Sequence, residues 1–216
     1  MPRITPERRE AKRAEIVAAA RRCFSRDGFH QTSMPEIAAE AGVSAGAPYR
    51  YFASKEEIIL AIAGDAFRLI FEPVVRLADG TEAPAVADLV AAALETIARD
   101  TATDEAGRVV AVEELLRCAV QTWSEMLRSE EVRGPAMEGF EQVRQSIARA
   151  LRRGQAAQTV PDALDPQGGA RAVMGLLHGA LLQRVAFGMT DTAGFAEDVR
   201  TILGGDGRFA EIAVRA

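Results

Sequence analysis

The chain has 216 residues, of which 48% are hydrophobic and 26% charged, and a net charge of −5. That balance excludes extended disorder and suits one large domain, or a small domain joined to a larger one. Aromatics are scarce at 6% while alanines number 41, and glycine and proline cluster between apolar stretches. This favours helices and argues against a many-stranded sandwich or barrel. Cys23 and Cys118 lie far apart with no CxxC pair, so a zinc ribbon or disulfide scaffold is excluded and both read as buried thiols. The N-terminal stretch lacks the apolar core of a secretion signal, and the most apolar long stretch, 172–189, contains His178, Gln183 and Arg184. A cytosolic, cytoplasmic protein is therefore expected.

In chain order, Ile16, Ala20 and Phe24 recur every four residues, with Val17 and Cys23 widening the stripe and arginines opposite. The spacing predicts an amphipathic helix from about Pro6 to Asp27, ended by Gly28. Ser33-Met34-Pro35-Glu36 fits a capping box and predicts a second helix that stops at Ala41, because Gly42 follows. A third is predicted from Ser44 to about Phe52. A fourth is capped by Ser54 and carries Ile58, Ile59, Ile62, Phe67, Leu69 and Ile70 towards Pro73. Beyond Asp79-Gly80 helices are predicted over 85–100, 105–127, 135–155, 166–187 and 192–203, the fourth of these opened by Asp165-Pro166. No run of period-two alternation, hairpin signal or internal repeat is evident. The expected fold is all-α with about nine helices.

Charge is unevenly placed. Residues 1–55 carry ten Lys/Arg against six Asp/Glu, whereas residues 56–216 carry sixteen against twenty-five. A basic head on an acidic body fits a polyanion partner for the head. The plainer reading makes Arg8, Arg9, Lys12, Arg13, Arg21, Arg22 and Arg26 a solvated helix face.

The informative stretch runs from Thr32 to Phe52: a short helix, a glycine turn and a second short helix. Ile37, Ala38, Ala41, Val43 and Phe52 are spaced to pack the two at a steep angle, and Gly42 can take the positive φ that the turn needs. In such a helix-turn-helix the second helix enters the major groove while the first crosses the phosphate backbone. Gly28-Phe29, Thr32-Ser33, Ile37-Ala38, Ala41-Gly42-Val43-Ser44, Gly46, Tyr49, Tyr51-Phe52 and Lys55-Glu56 stand in the order and spacing of the TetR family of bacterial transcriptional regulators, which residues 10–70 resemble. The resemblance implies a DNA-binding domain over 10–70, with its helix-turn-helix at 33–52, and a helical effector-binding and dimerisation domain over 71–216. It assigns phosphate contacts to Thr32 or Ser33, Tyr49, Tyr51 and Lys55, and places Ser44, Ala45, Gly46, Ala47 and Arg50 at or near base edges. Chemically, hydroxyls and helix amides can hold phosphate, and Arg50 can grip phosphate or guanine in bidentate fashion. Tyr49 can alternatively pack in the core, where Phe52 is expected. Two positions depart from the family pattern. Pro48 stands where a bulky aliphatic residue is usual, which removes one backbone donor and a core anchor. Ala45 and Ala47, often polar in the family, offer only methyl groups.

The implied function is a DNA-binding regulator, more a repressor than an activator, acting as a homodimer on a palindromic double-stranded operator. The alternative is a helical ligand-binding or interaction protein without a DNA role. Gly42-Val43-Ser44-Ala45-Gly46 also satisfies the G-x-S-x-G of serine hydrolases, but that motif needs a strand before the serine. The last two helices are expected to pair with their twins in a four-helix bundle, since Leu176, Leu177, Leu181, Leu182 and Val185 exceed what one partner covers and Gly175 and Gly179 allow close approach. Leu116, Trp123, Met126, Met137, Phe140, Met174 and His178 are candidates to line an apolar cavity for a hydrophobic or amphipathic effector, with His178 or Gln121 as the orienting polar group. Taken singly, each of them more simply fills a bundle core. The helix from Ser54 to about Phe71 is the expected lever between cavity and head. Neither histidine has a second ligand at metal spacing, so no metal and no cofactor is expected.

Overall fold

A computed structural model describes residues 5–204, and the side chains up to Ile202. The elements are α1 (Pro6–Asp27), α2 (Met34–Glu40), a 3-10 turn (Pro48–Arg50), α3 (Lys55–Ala78), α4 (Val86–Ile97), β1 (Thr101–Thr103), β2 (Val109–Ala111), α5 (Val112–Met126), α6 (Glu130–Ala156), α7 (Pro166–Ala186) and α8 (Thr192–Gly204). The fold is all-α apart from one hairpin. The chain forms two compact units: residues up to Arg68 together with Arg99–Gly139, and Leu69–Ala98 together with the chain from Phe140. Helices α3 and α6 each contribute to both.

In the first unit α1 packs on α2 and α5. Ile16, Ala20 and Phe24 of α1, Ile37 and Ala38 of α2, Phe52, Ile58, Ile59 and Ile62, and Leu115 and Leu116 of α5 are buried. Phe24 and Phe29 meet edge to face with centroids 4.8 Å apart, and the Arg13 guanidinium lies 4.7 Å from the Phe52 ring centre. In the second unit α4 packs on α7 and α8. Its core holds Ile70 and Val74 of α3, Leu89, Val90 and Leu94 of α4, Val143 and Ile147 of α6, and Val173, Leu177 and Leu181 of α7.

Outside the helix-turn-helix, three elements differ from the sequence expectation. The helix predicted over 105–127 begins only at Val112, and β1 and β2 pair antiparallel before it, with Thr101 opposite Ala111 and Thr103 opposite Val109. Three-residue strands are too short to display a period of two. The turn between them is set instead by Asp104, whose Oδ1 accepts the N–H groups of Ala106 and Arg108, and by Gly107 at φ +76°. Helix α6 starts at Glu130 and carries Pro135 inside it, because the Ser129 hydroxyl and carbonyl accept the N–H groups of Val132 and Arg133 and cap it earlier. Likewise α3 continues through Pro73 to Ala78. A proline early in a helix or flanked by strong packing costs one hydrogen bond without ending the helix.

Candidate nucleic-acid interface

The helix-turn-helix is built from local rules. Ser33 caps α2 reciprocally with Glu36: its N–H donates to the Glu36 carboxylate at 2.7 Å, and its hydroxyl accepts the Glu36 N–H at 3.4 Å. The Ser33 N–H and hydroxyl both donate to that carboxylate and hold it below its ordinary range. At the other end Val43 N–H reaches the Ala38 carbonyl, Gly42 N–H reaches Ala39, and Gly42 takes φ +64°. This is a Schellman stop, and it delivers the turn.

The segment after the turn is shorter than expected. In place of an α-helix from Ser44 to Phe52, Ala47 N–H closes a turn on the Ser44 carbonyl, and a 3-10 turn spans only Pro48–Arg50. Pro48 has no N–H to return to Ser44, so the ladder closes over three residues instead of four. The Pro48 ring is itself buried, so the core anchor expected to be lost there is supplied by proline. Ser44, Ala45 and Gly46 are exposed, Ala47 and Tyr51 are half-buried, and Tyr49 is 58% exposed. Arg50 is exposed, and no hydrogen bond or ion pair among the described residues engages its guanidinium.

The expected phosphate-binding group divides. Thr32 is buried at 3% exposure, and its hydroxyl donates to the Gly28 carbonyl at 2.9 Å. Lys55 donates through Nζ to the carbonyls of Phe29 at 2.7 Å and Thr32 at 3.2 Å. An ammonium has three donors, so one remains beyond these two bonds. Ser33 is exposed beside them. The basic face of α1 is largely neutralised within the unit: Lys12 pairs with Glu15, Arg13 with Glu10, Arg22 with Glu40 and Arg26 with Asp27. Arg21, read above as surface, is 4% exposed and sits between Glu114 at 3.1 Å and Asp104 at 3.8 Å. Burial would raise the Asp104 carboxyl, but hydrogen bonds from the Arg108 backbone and side chain, with the charges of Arg108 and Arg21, hold it below its ordinary value. Asp65 on α3 accepts the Glu105 N–H at 3.1 Å, and burial pushes its carboxyl up. The hairpin is thereby fastened to both α1 and α3 inside this unit.

The candidate effector residues fall in both units. In the first, Leu116 is buried, Trp123 and Met126 are half-buried, and Met137 is 54% exposed. Gln121 is engaged elsewhere: its amide bonds backbone at Phe24 and Phe29. In the second unit Phe71, Phe140 and His178 form an edge-to-face trio with centroids 5.2–6.1 Å apart, and Met174 is buried. Burial pushes the His178 pKa below its ordinary value. One cleft of the first unit, about 270 Å³, is lined by Glu10, Arg13, Asp65, Asp104 and Arg108. It is charged, unlike the apolar cavity expected. Sequence reasoning did not single out Asp65 or Asp104, whose only signal is an acidic residue beside an apolar run.

The G-x-S-x-G motif lies between α2 and a 3-10 turn, not after a strand. Among the described residues no helix is long and apolar enough to cross a membrane.

A short capped helix, a Schellman turn and an exposed segment carrying Arg50 make up a helix-turn-helix, an element of the class that docks on DNA. Residues 16–62 match the family described as bacterial regulatory proteins, tetR family. The HTH-type transcriptional regulator YfiR of Bacillus subtilis is 42% identical over 57 residues, a match spanning 26% of this chain and 28% of that protein. The HTH-type transcriptional regulator UidR of Escherichia coli K12 is 24% identical over 194 residues, covering 89% of this chain and 91% of UidR. Among solved structures, a complex of SmeT, the repressor of a Stenotrophomonas maltophilia multidrug efflux pump, with triclosan superposes with a TM-score of 0.64 at 25% identity, covering 89% of this chain and 90% of SmeT. The tetR family match is thus confined to the helix-turn-helix unit, residues 16–62. Over most of its length the chain is similar to proteins described as HTH-type transcriptional regulators.

Proposed function

We propose that the protein is a cytoplasmic repressor that binds a palindromic operator as a homodimer and is released by a small hydrophobic or amphipathic effector. The observation carrying this reading is the Ser44–Arg50 segment, largely exposed around the buried Pro48, whose one guanidinium engages no partner among the described residues. In the proposed division residues 10–70 form the DNA-binding domain and 71–216 the effector and dimerisation part. Arg50 reads a base edge, Ser44, Ala45, Gly46 and Ala47 lie along the groove, and Ser33, Tyr49, Tyr51 and the third donor of Lys55 hold phosphates, with Thr32 fixing the turn beneath them. Methyl groups at Ala45 and Ala47 suit the thymine methyl.

Dimerisation is supported by the two faces of α7. Leu177 and Leu181 are buried, while Leu182, Phe187 just past the helix and Ile202 of α8 remain exposed, as does Gly175. Soluble chains seldom leave such surface uncovered. The effector is supported by the aromatic trio around His178 and by the triclosan complex of SmeT. A regulating ligand must bind one spacing of the two heads better than the other, and operator DNA must then weaken its binding by the same factor. Helix α3, shared by both units, is the proposed lever.

Trp123 is the only tryptophan, so its fluorescence reports binding directly. A panel of hydrophobic compounds beginning with triclosan is titrated against free protein and against the DNA complex. A compound that quenches Trp123 is expected to bind the free protein more tightly. Equal affinity for both forms contradicts the proposed release.

A further inference from the structure

Helix α1 ends at Gly28 with φ +89°, and the turn that follows leads through Phe29 and Thr32 into α2. Its carbonyls at Gly28, Phe29 and Thr32 are taken by the Thr32 hydroxyl and by Lys55. The N–H of Phe29 is taken from outside the helix-turn-helix. Gln121 of α5 accepts it through Oε1 at 2.9 Å and donates through Nε2 to the Phe24 carbonyl at 3.0 Å. One planar amide thus bridges the last turn of α1 and the residue beyond Gly28, fixing both their separation and their relative rotation.

Gln121 does not act alone. Glu114 pairs with Arg21, the Cys118 thiol lies 3.8 Å from the Arg21 carbonyl, and Glu125 lies 3.5 Å from His30 Nε2. At 100° per residue, positions 114, 118, 121 and 125 share a stripe about 60° wide. Leu116 and Trp123 fall on the opposite side of the same helix. A displacement of α5 along or about its axis therefore reaches the backbone of the turn through the Gln121 amide, and its His30 side chain through Glu125.

We propose that Gln121 is a positioning residue for DNA binding: it sets the turn that presents Ser33 and Lys55 to the phosphate backbone. This rests on the proposed phosphate contacts of that turn. Gln121→Met keeps length and apolar bulk and removes both hydrogen bonds. The probe is the duplex that the unmodified protein selects from a random pool, titrated at several salt concentrations below the melting range of every variant. Thr122→Val is the comparison, because the buried Thr122 hydroxyl donates only to the Cys118 carbonyl one turn earlier and its loss lowers stability without touching the turn.

The expected result for Gln121→Met is a loss of about tenfold in affinity, equivalent to about 1.4 kcal/mol. It comes with a shallower salt dependence as phosphate contacts are lost, an unchanged sequence preference, and faster hydrogen exchange at the Phe29 amide. Thr122→Val keeps the affinity and the salt slope. Wild-type affinity and slope in Gln121→Met, or an equal loss in Thr122→Val, overturns the proposal. Arg50→Ala in the same series separates the two layers. If it weakens binding while Gln121→Met does not, the positioning role alone fails. If Arg50→Ala, Lys55→Ala and Gln121→Met all bind as the unmodified protein does, the phosphate-contact reading fails and the proposal falls with it.

Discussion

Arg50 and Lys55 carry the same charge but different work. Arg50 is exposed and engages no partner among the described residues; its guanidinium is a fork that can satisfy two acceptors on a guanine edge. Arg50→Ala is expected to cost about 1–3 kcal/mol of specific binding and to relax one operator position, measured by competition between selected and single-substituted duplexes. Lys55 already spends two donors on Phe29 and Thr32, so Lys55→Ala should weaken all sequences similarly and also lower the melting temperature. His178 offers a residue-level test in the second unit. Its pKa is lowered by burial, so the folded chain refuses a proton that the unfolded chain accepts. Stability from this group is complete above the ordinary histidine value of about 6.5 and declines as the pH falls below it. The melting temperature should drop between pH 7.5 and 5.5, and part of that drop should vanish in His178→Phe. An identical pH slope in the variant would remove His178 from this role.

At the scale of elements, the turn of the helix-turn-helix is a matter of one backbone angle. A Cβ on Gly42 would meet nothing within 4 Å, yet its φ is +64°. Gly42→Ala therefore carries strain without a clash, about 1 kcal/mol, and calorimetry should show a melting temperature lower by a few degrees with a folded head. The capping box at Ser33, the stop at Gly42 and the α1 stripe were legible because each is encoded within four residues. The recognition segment was half legible: Pro48 was visible as a missing donor, but its consequence, a 3-10 turn in place of an α-helix, depends on how Ser44 and Ala47 close the ladder. The hairpin was hidden, because its strands are three residues long and its turn is made by the Asp104 side chain. The Gln121 bridge was equally invisible, since a glutamine on an amphipathic helix looks the same whether it faces a cavity, water or another backbone. For that reason it was read as a candidate effector contact.

Across the whole molecule, the basic head of the sequence becomes a set of internal ion pairs along α1, and net charge overstated what is free to meet a polyanion. Affinity for DNA should still fall steeply with salt, through Lys55, Arg50 and the other cations of the head. Leu182, Phe187 and Ile202, exposed on and beside α7 and α8, belong to the proposed dimer contact. Truncation from residue 190 should yield a chain that sediments as a monomer and binds a full site weakly, whereas a stable folded monomer with undiminished affinity would contradict the dimer. The central claim is that this chain reads DNA with two copies of one helix-turn-helix. Selection from a random duplex pool at physiological salt tests it most directly. Enrichment of a single palindrome, with half-sites spaced by about one helical turn, is the expected result; recovery of no common sequence, or of an isolated half-site bound by a monomer, would contradict it.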